Sequence, residues 1–165
     1  MVLKIVLGLI GVLALLVGGV LLTAALLPRE HLATGETLIE APPEVVAARI
    51  ADPAGYPAWR KGVLIDQVRR EGERVLWRET SQGDKVDYAL DVEAPGRRWR
   101  TTILTEGLPY GGYWLIELTP EGAGARVRVS EHGFVDNLAF RALGRFVFGF
   151  DSSLKTWLAD LASAR

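Results

Sequence analysis

The stretch Lys85-Val86-Asp87-Tyr88-Ala89-Leu90-Asp91-Val92-Glu93 decides the fold class. Val86, Tyr88, Leu90 and Val92 fall on one side of a two-residue period, and Asp87, Asp91 and Glu93 fall on the other. A strand sorts these residues onto one covered and one wet face, whereas a helix would scatter them around its axis. The alternation recurs further along. Trp114, Ile116 and Leu118 oppose Tyr113, Glu117 and Thr119, and Val127 and Val129 oppose Arg126 and Arg128.

Working outward, extended segments are expected at Val63–Arg70, Arg74–Thr80, Lys85–Glu93, Arg98–Thr105, Gly112–Thr119 and Ala125–Phe134. Glu71-Gly72-Glu73, Ser81-Gln82-Gly83-Asp84, Ala94-Pro95-Gly96, Gly107–Gly111 and Pro120–Gly124 separate them. Turn chemistry at such regular intervals predicts an antiparallel meander with one face in water. A further short strand, Glu36–Ala41, precedes it. Pro42-Pro43-Glu44 then opens a helix over Pro43–Ala51, which Asp52-Pro53 stops before a short turn at Ala54–Trp59.

The covering element is expected at the C-terminal end. Phe140, Leu143, Phe146, Val147, Phe150, Leu154, Trp157, Leu158 and Leu161 recur at three- and four-residue steps behind Asp136, a candidate N-cap. They predict one amphipathic helix of about 25 residues. Gly144 and Gly149 each cost it about 1 kcal/mol against Ala, so they mark a bend, a close contact or open space.

At the other end, Ile5–Leu27 runs without a charged side chain. A helix of that length is about 34 Å long, enough for the roughly 30 Å hydrocarbon core of a bilayer. Signal-peptide cores are shorter, and the nearest small-residue site, Thr23-Ala24-Ala25, lies inside the run. Residues 1–28 therefore read as an uncleaved transmembrane anchor and 29–165 as one domain. Lys4 precedes the span, while Arg29 and Glu30 cancel after it. The positive-inside tendency puts the N-terminus in the cytoplasm and the domain outside it.

Of the 19 Lys/Arg and 20 Asp/Glu residues, only Lys4 leaves with the anchor, so the domain carries a net charge near −2. That gives no electrostatic ground for a nucleic-acid partner. The absence of cysteine excludes disulfides, thiol catalysis and Cys-ligated zinc. His31 and His132 have no metal-ligand spacing, so neither a metal site nor a cofactor is expected. His31 reads as solvated at the membrane exit, and His132 lies on the wet strand face. Ser130 and His132 lack an acid partner and a nucleophile-elbow sequence for a hydrolase.

Strand, two short helices, six-strand meander and final helix is the order of the helix-grip fold, and the sequence resembles the SRPBCC superfamily. That group includes START domains, birch-pollen-allergen-like proteins and polyketide cyclase/dehydrase-like proteins. The resemblance rests on Ala41-Pro42-Pro43-Glu44-Val45-Val46, on Asp52 with Tyr56-Pro57-Ala58-Trp59, on Leu108-Pro109-Tyr110-Gly111-Gly112 with Trp114, and on the Phe-rich end. It implies an α+β fold in which a seven-stranded curved antiparallel sheet wraps the long C-terminal helix and leaves a cavity between them. The iron ligands of the superfamily's oxygenases have no counterpart here.

Strand parity then assigns the cavity face. Trp77, Glu79, Tyr88, Trp99, Thr101, Trp114 and Glu131 are the candidate ligand-binding residues, with Phe146 and Phe150 from the helix. Aromatic walls with few polar groups suit a lipid or another hydrophobic small molecule. Glu79 and Glu131 stand out because a carboxylate on an apolar face is costly unless paired. Both sit toward the same sheet end, with the Ser81–Asp84, Leu108–Gly112 and His132–Asp136 turns. The first functional reading is a membrane-tethered binding domain. The second is a cyclase- or dehydratase-type enzyme using Glu79 or Glu131 as acid/base. The bland reading has the aromatics filling the core and the glutamates paired with arginine.

Overall fold

The computed structural model describes residues 2–144, 149 and 151–164. It opens with α1 (Val2–Leu26), a helix of mean hydropathy 2.9 over its most apolar window, in which only Ala24 is buried. Length and composition make α1 compatible with a single-pass anchor, and a signal sequence meets the same criterion. The chain then enters β1 (Glu30–Ile39) almost at once. Next come α2 (Pro43–Ala51), a 3-10 turn (Pro53–Ala58) and six strands. These are β2 (Val63–Glu71), β3 (Arg74–Ser81), β4 (Asp84–Ala94), β5 (Arg98–Ile103), β6 (Tyr110–Glu121) and β7 (Gly124–Val135).

The seven strands form one antiparallel sheet in the order β1-β7-β6-β5-β4-β3-β2. The meander is thus closed on its late side by the first strand. Register shifts at Asp66/Arg69 and Val92/Ala94 help bend it. The concave side carries the core: Ile39, Trp99, Ile116, Leu118, Val127 and Val129 from the sheet, with Val46 and Ile50 from α2. The convex side carries the arginines. Arg78 reaches Asp87 at 2.7 Å, and Arg98 and Arg100 reach Glu93 at 2.8 and 2.7 Å. The Arg78 guanidinium holds the Asp87 carboxyl below its ordinary range.

Three expectations are corrected. The first strand begins at Glu30 rather than Glu36, so its full length pairs with β7, Glu30 facing Phe134 and Ile39 facing Ala125. The single long C-terminal helix is only partly borne out among the described residues. Instead α3 (Leu138–Leu143) and α4 (Ser152–Ser163) are separate, and Gly149 between them has φ +76°. A left-handed residue cannot continue a right-handed helix, and glycine adopts that conformation without a Cβ clash. The expected cap also moves by one residue. Asn137 accepts the backbone N–H groups of Ala139 and Phe140, while Asp136 pairs with Arg29. From α4, Leu154, Trp157, Leu158 and Leu161 enter the core.

Candidate functional site

Core side chains fill the concave face toward one end of the sheet, and toward the other a cavity of about 420 Å³ remains open. That is within the usual range for a small-molecule site. A continuous run of aromatic contacts forms its wall, with Trp59 behind the lining. Trp77 stacks on Tyr88 with centroids 5.3 Å apart, and Tyr56 meets Trp77 edge-on at 5.9 Å. Trp59 meets Tyr56 at 5.2 Å and Trp157 at 5.7 Å, and Trp157 meets Trp114 at 6.1 Å. Four of the five tryptophans belong to this run. Edge-to-face and stacked pairs of this kind favour these ring orientations beyond simple burial.

The polar groups are few. Arg60, just after the 3-10 turn, donates from Nη1 to Glu79 Oε2 at 2.7 Å and from Nη2 to Oε1 at 2.8 Å. Both side chains are largely buried. This bidentate fork engages both Glu79 oxygens in charge-assisted hydrogen bonds. Glu131 has a weaker partner: His31 Nε2 lies 3.1 Å from its Oε1. Which of the two donates depends on the imidazole tautomer. Glu131 Oε2 has no hydrogen-bond partner among the described residues. The pair fits because residue 133 is glycine. A Cβ there would stand 2.6 Å from His31 Nε2, too close for any side chain.

Phenols complete the lining. Burial pushes the Tyr88 hydroxyl above the ordinary tyrosine range, and the Glu79 charge adds to the shift. Burial and then Asp84 raise Tyr110. Both are therefore neutral groups able to donate a hydrogen bond at pH 7. Tyr56, also raised by burial, donates to Ile50 O at 2.8 Å.

Of the residues expected from strand parity, Trp77, Glu79, Tyr88, Thr101, Trp114 and Glu131 line the cavity together. Trp99 does not. It is 1% exposed, paired across the sheet with Val92 and Ile116, and sealed in the packed end. Phe146 and Phe150 lie outside the described residues. The reading of His31 as solvated is overturned, since its side chain is 13% exposed against Glu131. His132 is exposed and stacks on Tyr113 at 4.8 Å. Sequence reasoning does not assign Tyr56, Arg60, Tyr110, Ser153 or Trp157 to the cavity. Tyr56 and Tyr110 lie in motifs that the sequence singles out, and Trp157 lies in its C-terminal apolar repeat. No cluster of three metal-ligating side chains occurs among the described residues.

Solved structures similar to this chain share its fold. A di-domain ARO/CYC protein, BexL from the BE-7585A biosynthetic pathway, aligns over 87% of this chain and 52% of its own, with 14% identity and a TM-score of 0.67. Truncated norcoclaurine synthase from Thalictrum flavum aligns over 81% and 91%, with 11% identity and a TM-score of 0.60. TTHA0849 from Thermus thermophilus aligns over 81% and 91%, with 25% identity and a TM-score of 0.55. No curated protein matches the sequence. The family described as polyketide cyclase / dehydrase and lipid transport matches residues 30–162, nearly the whole chain after α1. With the helix-grip sheet and its cavity, that match places this chain in the polyketide cyclase / dehydrase and lipid transport family.

Proposed function

We propose that this chain is a membrane-tethered domain that binds a lipid or another hydrophobic molecule with one polar end. Residues 5–27 hold it in the bilayer, the N-terminus is cytoplasmic, and residues 29–165 form the binding domain on the other side. The observation that carries the reading is the aromatic-walled cavity of about 420 Å³, open at one end and supplied with few polar groups. Trp77, Tyr88, Thr101 and Trp114 bury the apolar part of the ligand. Tyr110 and Glu131 orient its polar end near the mouth. Glu79, held by Arg60, shapes the wall.

The test is native mass spectrometry of the full chain released from nanodiscs, beside Thr101→Trp, which fills the cavity from a half-buried position. The expected result is a co-purifying mass in the wild type that is lost in a folded Thr101→Trp. Equal occupancy in both proteins, or an apo wild type that no hydrophobic compound stabilises against heat, would sink the reading.

One observation favours a second reading. His31 Nε2 and Glu131 Oε1, 3.1 Å apart beside the cavity, are groups that a cyclase or dehydratase would use as acid and base. Glu131→Gln distinguishes the two. Time-dependent conversion of the extracted ligand by the wild type, lost in a Glu131→Gln variant that still binds it, supports the enzyme. A ligand that the wild type binds and leaves unchanged supports binding alone.

A further inference from the structure

The cavity mouth and the membrane helix share one end of the sheet. Gly111 and Glu30 both face Phe134, from opposite sides of β7. The Ser81–Asp84 turn is at that end, as are Tyr110 and His132, which also line the cavity. Helix α1 finishes a few residues before Glu30, and α3 departs a few residues after Val135.

The junction is built rather than loose. The Val135 N–H donates to Arg29 O at 2.9 Å, and Arg29 pairs with Asp136. Beneath them Arg141, 9% exposed, bonds through its guanidinium to backbone oxygens among the described residues. Nε and Nη2 donate to Val135 O at 3.1 and 2.9 Å, and Nη1 donates to Leu27 O at 3.1 Å and Ala24 O at 3.5 Å. The end of a helix leaves carbonyls without partners and carries partial negative charge, which a cation offsets. Arg141 therefore ties the end of α1 to the end of β7. Ala24, fully buried, is where α1 and α3 touch. On the side of α3 away from the buried Arg141 and Ala142, Phe140 and Leu143 are 53% and 42% exposed, and Leu138 in the first turn is 39% exposed. Leu64 and Leu104 are also exposed at this end of the sheet.

We propose that the α3 face of Phe140 and Leu143 lies in the interfacial layer of the bilayer that α1 crosses, and that Arg141 fixes this seating so that the cavity mouth opens onto the headgroups. The partner is the lipid surface itself, because the face is continuous with the last turn of the apolar helix. Short amphipathic faces bind there through buried apolar area. The inference rests on the membrane-tethered reading and adds an orientation to it. The ligand it implies is an amphiphile resident in that leaflet.

The chain contains no cysteine, so single probes can be placed without background. Leu13→Cys, Leu143→Cys, Glu106→Cys and Leu38→Cys, each carrying an environment-sensitive fluorophore, would be compared in full-length protein. The protein would sit in phosphatidylcholine nanodiscs with and without brominated lipid. The proposal expects quenching at 13 and 143, shallower quenching at 106 on the mouth loop, and none at 38. Arg141→Ala should lose the signal at 143 while that at 13 persists. Phe140→Ser, exposed and therefore tolerated, should weaken it in the same direction. Quenching at 13 but not at 143 would overturn the seating and leave the tether intact. Quenching at 143 without 106 would overturn the orientation. No quenching at 13 would remove the tethered reading itself.

Discussion

Replacing Glu79 by Gln tests whether the most buried carboxylate of the cavity is structural or chemical. Its two oxygens accept 2.7 and 2.8 Å hydrogen bonds from Arg60, whose side chain is 17% exposed. Glu79→Gln leaves that guanidinium charged, mostly desolvated and without a counter-charge. Breaking one side of a fully buried pair costs about 3–5 kcal/mol. The partial exposure here reduces this to about 2–3 kcal/mol, or a fall in Tm of roughly 8 °C for a domain of this size. Removing both charges, as Arg60→Met with Glu79→Leu, leaves no orphan and should cost no more than about 1 kcal/mol. Thermal unfolding of the full chain in micelles, followed by tryptophan fluorescence, reads the domain alone because every tryptophan lies after Pro28. Equal losses in the single and double variants would refute the ion-pair argument. A fully stable Glu79→Gln that no longer converts its bound ligand would make Glu79 a catalytic base instead.

Gly133→Ala should displace the His31 ring, because the new Cβ would stand 2.6 Å from Nε2. We expect a loss of about 1–3 kcal/mol in thermal unfolding and a shifted His31 imidazole resonance, while an unshifted resonance would contradict the packing. Alkaline titration should show Tyr56 and Tyr88 forming phenolate only as the domain unfolds, since burial raises both above the ordinary range. Their contribution to stability is complete below the unfolded value of about 10 and is lost as pH rises through the raised folded values. Tyr88→Phe should therefore flatten the decline in Tm above about pH 10, and an unchanged slope would count against the burial account.

The meander is legible because a period of two leaves little freedom. Once Val86, Tyr88 and Leu90 face inward, register carries Trp77, Thr101 and Trp114 to the same side. Parity says nothing about position along a strand, and that is why it assigns Trp99 to the cavity while the side chain fills the closed end. Strand β1 misleads in a different way. Its inward residues are His31, Ala33, Gly35 and Thr37, kept small where α4 lies across them, while Leu32 and Leu38 are exposed. The hydropathy pattern is inverted, so it reads the strand short and places His31 in solvent. The C-terminal pattern fails for a third reason. Apolar spacing continues through Gly149, but spacing does not register a left-handed residue, and among the described residues α3 and α4 are separate helices on either side of it.

Glu79 and Glu131 look equivalent by parity, and tertiary structure separates them. Arg60 engages both oxygens of Glu79, so a ligand approaching it meets a neutralised carboxylate with little capacity left. Glu131 meets a single imidazole nitrogen through Oε1, and its Oε2 has no hydrogen-bond partner among the described residues. A buried acceptor without a partner costs about 1–3 kcal/mol, and a ligand hydroxyl or amine that reached it would recover part of that. Polar recognition in this cavity should therefore fall to Glu131 and His31, on the β1–β7 side where the chain leaves its apolar helix. Glu131→Gln should then change which ligand is retained or what becomes of it, whereas Arg60→Met with Glu79→Leu should leave the ligand's identity unchanged. A ligand altered by the second change and not the first would reverse this assignment.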